Sequence, residues 1–190
     1  MSSHAARVAK PNGWWGTAVF VATEATLFGT LIASYFYLRS VTSHWPPAGT
    51  PLPKVALPLA LTGALLATSV PVYLAVRAAR AGRRGAAIRL LALALLVQCA
   101  YLGVQVHLFV SDLDKFSPRD NAYGSVYFTL GGLHHLHVLV GILLSVWAIG
   151  RLARGLTTYR LTAVRAIGLY WQFVNAMAIL VVLTQLSPSL

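Results

Sequence analysis

Five apolar runs, each long enough to cross a lipid bilayer, occupy most of this 190-residue sequence. A spanning helix needs about 20 predominantly apolar residues. The runs cover residues 14–38, 55–76, 88–110, 123–150 and 161–186. Hydrophobic residues make up 57% of the chain and charged residues only 10%, which excludes an ordinary soluble domain. The sequence therefore predicts an all-α, polytopic membrane bundle of five transmembrane helices over residues 14–190, preceded by an arm of residues 1–13.

The positive charges are distributed unevenly between the two predicted sides of the membrane. Eleven of the fifteen lysines and arginines fall on the side that holds the N-terminal arm, and the other side holds Arg39, Lys54, Lys115 and Arg119. Cytoplasmic loops carry an excess of Lys and Arg, so we expect a cytoplasmic N-terminal arm and an external C-terminus. Because this distribution accounts for the net charge of +11, we expect no nucleic-acid partner.

A few strongly polar side chains fall near the middle of three predicted spans. Glu24 lies ten residues after Trp14, or about 15 Å along a helix, and is the only glutamate in the chain. The other members of the set are His134 and His137 in the fourth span and Gln172 and Asn175 in the fifth. Facing lipid, each would cost on the order of a few kcal/mol, so we expect a buried polar layer that links these three spans. Glu24 is either a protonated strut between helices or a group that handles protons or contacts a lipid headgroup.

Small residues and a proline shape the predicted helix contacts. Gly131, Gly132 and Gly141 flank the histidines by about one turn, and Gly63 begins a small-xxx-small pair with Ala67. Such residues let transmembrane helices approach closely, so all four glycines are predicted packing positions. In the second span, Pro71 is predicted to bend the helix.

The polar layer could in principle hold a metal or a haem. Two histidines three apart on a helix, with one glutamate, resemble a small zinc or iron site. However, no other span carries a histidine at mid-depth, and the amides of Gln172 and Asn175 are weak ligands. We therefore expect neither a metal nor a cofactor in this chain. No nucleophile–base pair is evident either, so no catalytic residue is predicted.

Three motifs, in order, resemble a known family, subunit III of the haem-copper cytochrome c oxidases in its short form with five spans. Glu24 followed by Phe28 and YFYLR resembles its glutamate-bearing helix, and YWQFVN resembles its YWHFVD signature. The central stretch resembles its YGS…F…TGxHGxHVxxG helix through Tyr123, Gly124, Ser125, Phe128, Gly132, His134, Leu136, His137, Val138 and Gly141.

The sequence departs from the family pattern at several positions. In the last motif the histidine is Gln172 and the aspartate is Asn175. The threonine before the glycine is Gly131, the glycine between the two histidines is His135, and the glutamate of the third span is Leu108. These changes remove charge while keeping much of the shape, which indicates a divergent branch.

The resemblance implies an accessory subunit without redox cofactors in a bacterial plasma membrane. It implies packing on the catalytic subunit I, which would hold haem and copper, bound phospholipid, and support of proton entry and turnover. Glu24, His134 and His137 carry over as the polar core, and cytochrome c would be the electron donor of the complex. Two alternatives remain: a similar partner of a nitric oxide reductase or quinol oxidase, and a free-standing transporter or haem-binding protein.

Overall fold

The computed structural model describes residues 12–189, which form six α-helices joined by short connections. They are α1 (Asn12–Val41), α2 (Ala56–Ala67), α3 (Ser69–Arg80), α4 (Arg84–Leu113), α5 (Ala122–Ala153) and α6 (Thr158–Leu186). Because α2 and α3 together make one span, five segments are long and apolar enough to cross a membrane. The predicted five-span helical bundle is confirmed over this range. Residues 1–11 of the predicted arm and residue 190 lie outside the described residues.

Thr68 separates the two helices of the second span. Pro71 has no N–H to donate to the carbonyl of Ala67, and its ring crowds that carbonyl. The N–H of Thr68 instead bonds the carbonyl of Leu65 at 3.0 Å, in a tighter turn, and the N–H of Val72 bonds the carbonyl of Thr68 at 3.1 Å. The helix is thus interrupted just before Pro71, the residue at which the sequence predicted a bend.

The last two helices form the centre of the bundle. α6 packs against α1, α2, α3 and α5, and α5 also contacts α1 and α4. Their facing surfaces bury Leu130 and Val138 of α5 with Trp171 and Val174 of α6. α1 contacts only α5 and α6 among the described helices, so it lies at the edge and much of its surface is uncovered.

The two ends of the bundle differ in chemistry. Connections 42–55 and 114–121 form one end, the proline-loop end, where Ser189 Oγ donates to the carbonyl of Pro53 at 3.0 Å. Connections 81–83 and 154–157 form the other, the arginine end, where Arg84 donates to the carbonyl of Ala153 at 2.8 Å. Both short connections reverse direction through a glycine with positive φ, Gly82 at 72° and Gly155 at 118°.

Candidate functional site

Glu24 of α1 and His137 of α5 meet inside the bundle. Glu24 Oε2 lies 3.0 Å from His137 Nε2, and the two side chains are 19% and 9% exposed. The rings of Phe28 and Phe173 lie edge-on to the imidazole, with centroids 5.2 and 6.3 Å away. The structure thus brings together the only glutamate of the chain and one of the predicted histidines.

The second ring nitrogen of His137 determines how the pair shares its proton. Nδ1 lies 2.8 Å from the carbonyl oxygen of Leu133, which can only accept, so Nδ1 carries a hydrogen. In a neutral imidazole Nε2 is then an acceptor, and the carboxyl of Glu24 must donate its proton to it. The other arrangement is an imidazolium–carboxylate ion pair. In both arrangements a single proton lies between the carboxyl oxygen and Nε2, so the pair can hold one proton.

His134 faces α4 instead of α1. Its Nε2 lies 3.3 Å from the hydroxyl oxygen of Tyr101, to which Gln105 Nε2 also donates at 3.3 Å. His134 is 2% exposed, and its Nδ1 has no hydrogen-bond partner among residues 12–189. Tyr101 was not among the predicted site residues. A phenol at mid-span in the third run, level with the histidines, was the available signal.

Asn175 binds the break in the second span. Its Nδ2 donates to Ser69 Oγ at 2.7 Å, and on α4 Gln98 Nε2 donates to Thr68 Oγ1 at 3.3 Å. Both amides are buried, and neither amide oxygen has a partner within the described part of the chain. Gln98 was also not predicted, although it lies midway along the third span, at a depth where a polar side chain needs a partner.

The predicted polar layer is therefore three separate contacts: Glu24 with His137, Tyr101 with His134, and Ser69 with Asn175. Gln172 does not join them, because its side chain is exposed on the outer surface of α6. α6 reaches the first contact through Tyr170, whose hydroxyl donates to the carbonyl of His137 at 2.8 Å. The functional roles of these residues stay predictions.

Two of the four predicted packing glycines lie at close contacts, and a third lies at an ordinary van der Waals distance from its neighbour. A Cβ on Gly141 would lie 2.7 Å from the indole of Trp171, and one on Gly131 would lie 2.9 Å from Gln185 Nε2. A Cβ on Gly132 would meet Phe109 at 3.5 Å. At Gly63, no heavy atom of the described chain lies within 4 Å of that position, so this residue makes no close helix contact within residues 12–189. Its face of α2 points away from the bundle because α4 and α6 pack on the side that carries Thr62 and Leu65.

The contacts can carry and orient protons, but they form no metal centre within residues 12–189. No group of three or more His, Cys, Asp or Glu side chains converges there. His134 and His137 point toward different helices, since one bonds Tyr101 and the other Glu24. The chemistry supported by this arrangement is a carboxyl and an imidazole sharing one proton.

The sequence of this chain is similar to those of known respiratory proteins. The sequence profile of the family described as Cytochrome c oxidase subunit III matches residues 1–186. The chain belongs to the cytochrome c oxidase subunit III family. It is an accessory subunit of a haem-copper oxidase, a multi-pass membrane protein that forms part of a complex with other oxidase subunits.

Individual relatives show how much of the subunit the match covers. Cytochrome bo(3) ubiquinol oxidase subunit 3 of Pseudomonas aeruginosa is 30% identical over 171 residues, which cover 89% of this chain and 80% of that protein. Cytochrome c oxidase subunit 3 of Thermostichus vulcanus is 28% identical over 167 residues, 87% of this chain and 82% of that protein. Cytochrome c oxidase subunit 3 of Allomyces macrogynus is 30% identical over 173 residues, which cover 85% of this chain and 61% of that protein. The subunit spans most of the first two relatives and about three fifths of the third.

Proposed function

We propose that the subunit packs against the catalytic subunit I through α1, binds phospholipid beside that helix, and supports proton uptake and stable turnover through the Glu24–His137 pair. The observation that carries the proposal is this pair, a protonatable carboxyl held at mid-span on the helix that the rest of the chain covers least. Haem and copper belong to the partner subunits in this proposal. The arginine end faces the cytoplasm, because Lys and Arg accumulate on that side of membrane proteins.

The outer surface of α1 suits a helix–helix contact with another subunit. A row of small, exposed residues runs along it at helical spacing: Ala22, Thr26, Gly29 and Ala33. The hydroxyl of Thr26 is bonded to the carbonyl of Ala22 at 3.0 Å, so it presents no unpaired donor. Small side chains let a second backbone come close, which favours docking of a transmembrane helix over random lipid contact.

The docking contact is tested by co-purification from membranes that hold the whole oxidase. Ala22→Trp places an indole on the proposed contact and is expected to lower the amount of haem-bearing subunit that co-purifies with the tagged chain. The matched control is Ala100→Trp, on the exposed surface of α4, which should have no effect. Equal recovery with both variants would exclude α1 as the docking surface.

A groove beside α1 supports phospholipid binding. It has a volume of about 510 Å³ and is lined mainly by apolar residues of α1, α5 and α6, including Phe20, Leu144 and Ile167. Trp147 also lines it, and the guanidinium carbon of Arg151 lies 5.5 Å from the centroid of that indole. The groove therefore offers an apolar channel for an acyl chain with a cation at the arginine end for a phosphate.

Native mass spectrometry of the purified complex tests the lipid proposal. Ala163→Trp, which fills the groove, is expected to remove a bound phospholipid, whereas Ala100→Trp should retain it. Retention in both variants would contradict binding in this groove.

The proton role is tested by turnover. Glu24→Gln removes the exchangeable carboxyl proton while keeping a hydrogen-bond donor, so we expect the complex to assemble but to lose activity faster during sustained turnover. Unchanged activity and unchanged decay would reduce Glu24 to a structural strut.

Two electron donors suit the complex, cytochrome c and ubiquinol. Relatives are named both as cytochrome c and as ubiquinol oxidase subunits, so either donor suits this chain. Haem and copper analysis of the purified complex, with activity on each donor, distinguishes these oxidases from a nitric oxide reductase.

A further inference from the structure

A cavity of about 360 Å³ lies at the proline-loop end, separate from the Glu24–His137 pair. It is enclosed by α2, α4, α5, α6 and the connection that precedes α2. Its rim carries Lys54, Asp112 and Lys115, and its walls include Leu57 and Phe109. The rim lies at the helix ends, where the chain meets water, so the cavity leads inward from an aqueous surface.

Polar side chains from three helices line part of this cavity. His135 lines it and lies thirteen residues after the first residue of α5, or about 20 Å along the helix. Gln105 lines it from α4 and Gln185 from α6. The ring of His135 packs edge-on against Phe109 with centroids 5.6 Å apart, and no group within residues 12–189 hydrogen-bonds either of its nitrogens. An imidazole thus lies deep in the membrane region without a protein partner.

A polar side chain at this depth needs a partner, since leaving it unbonded in an apolar medium costs several kcal/mol. The cavity has room for that partner: a bound water needs only about 10–15 Å³ of accessible volume and two or more polar neighbours. His135 provides one of them. Gln105 and Gln185 provide the others, because each Nε2 donates one N–H to the protein, to the Tyr101 hydroxyl at 3.3 Å and to the Tyr127 carbonyl at 3.0 Å, and keeps a second N–H. Water is the partner that fits all three without any change in the protein.

The charge at the rim favours anions over cations. Lys115 is paired with Asp112 at 2.7 Å, whereas Lys54 is exposed and makes no ion pair with any described residue. The rim therefore has a net positive charge, and the inner amides and imidazole can all donate hydrogen bonds. A small hydrophilic anion meets attraction at the entrance and donors inside.

We propose that this cavity is an aqueous vestibule that admits water and small anions from the proline-loop end to His135. The vestibule also reaches Gln105, which donates to Tyr101, the partner of His134. Water in the vestibule is thus one side chain away from the buried Tyr101–His134 contact, on a path that does not involve Glu24.

Cysteine accessibility in membrane vesicles that contain the whole oxidase tests the vestibule. The chain has a single cysteine, so Cys99→Ala gives a clean background. In it, His135→Cys is treated with the anionic, membrane-impermeant reagent 2-sulfonatoethyl methanethiosulfonate. The matched control is Leu136→Cys, one residue on and at the same depth, which is 54% exposed on the outer face of the helix. Because only the thiolate reacts, a thiol in water should be labelled at least about tenfold faster than one facing lipid.

Two further measurements keep the outcome decisive. Gln105→Cys should be labelled like His135→Cys, which guards against a local effect of replacing the histidine. Lys54→Glu should slow labelling by about threefold at low salt, whereas Arg119→Glu, on the same end but away from the rim, should not. Labelling of His135→Cys and Gln105→Cys as slow as that of Leu136→Cys would overturn the vestibule. Rapid labelling only in vesicles of the opposite orientation would instead contradict the proposed cytoplasmic arginine end and leave the vestibule intact.

Discussion

Glu24 and His137 are joined by a 3.0 Å contact across α1 and α5, and the carbonyl of Leu133 holds the hydrogen on the far side of the imidazole. This second bond makes the pair asymmetric, because it leaves Nε2 as the acceptor and the carboxyl as the donor in the neutral state. The same hydrogen bond therefore serves a structural role and a proton-holding role. The two roles are distinguished only by whether the proton exchanges during turnover.

Replacing Glu24 separates its hydrogen bond from its charge. Glu24→Gln keeps an N–H that can donate to His137 Nε2, so the free energy of unfolding should change by less than about 1 kcal/mol. Glu24→Leu leaves the buried imidazole nitrogen unpaired and should cost about 1–3 kcal/mol. SDS titration of the complex in mixed micelles measures both. If Gln were as damaging as Leu, the pair would be an ion pair.

The contact between Gly141 and Trp171 sets the spacing of α5 and α6. A methyl group at residue 141 would lie 2.7 Å from an indole that is fully buried, so Gly141→Ala should destabilise the subunit by about 1–3 kcal/mol. Gly63→Ala is the control, since no heavy atom of residues 12–189 lies within 4 Å of its added methyl and alanine favours the helix. The midpoint temperature of thermal unfolding of the complex should fall for Gly141→Ala and should not fall for Gly63→Ala. Equal midpoints for the two variants would show that the helices can move apart freely.

Ser145 satisfies the indole of Trp171. Trp171 Nε1 donates to Ser145 Oγ at 2.9 Å, and both residues are buried. Ser145→Ala leaves that N–H unpaired and should lower the unfolding free energy by about 1–3 kcal/mol. Ser34→Ala removes a hydroxyl that bonds only the carbonyl of Thr30 in its own helix, so the same SDS titration should show little change. A loss as large for Ser34→Ala would argue against a specific role for the indole bond.

Tyr101 anchors His134 to α4. Tyr101→Phe removes the hydroxyl that His134 Nε2 and Gln105 both contact, which leaves the buried histidine with neither nitrogen bonded. We expect a loss of about 1–3 kcal/mol in unfolding free energy. Tyr37→Phe is the control, because this side chain is 66% exposed, and it should leave the unfolding free energy unchanged. A stable Tyr101→Phe complex would mean that water replaces the phenol.

Much of the architecture could be predicted because a bilayer imposes strong constraints on sequence. Apolar runs of spanning length, the bend at Pro71 and the close approach at Gly141 all follow from local rules about length, a missing N–H and side-chain size. Glu24 and His137 could likewise be predicted to need polar partners, because both lie at mid-membrane depth.

The choice of partners was beyond such rules. The depth of Asn175 along its helix predicts that its side chain needs a hydrogen-bond partner. Only the rotation of α6 against the other helices decides that this partner is Ser69 and that Gln172 faces outward. Gly63 has no close neighbour within the described chain for the same reason, since a small residue permits a contact without requiring one.

The sequence by itself determined the class of this protein: a five-span helical subunit with a few protonatable groups at mid-membrane depth. Only the tertiary structure decided that His137 bonds Glu24 while His134, three residues earlier, bonds Tyr101. The physical reason is that hydrophobic length and polar depth are properties of one helix, whereas a hydrogen bond is fixed by the relative rotation and spacing of two.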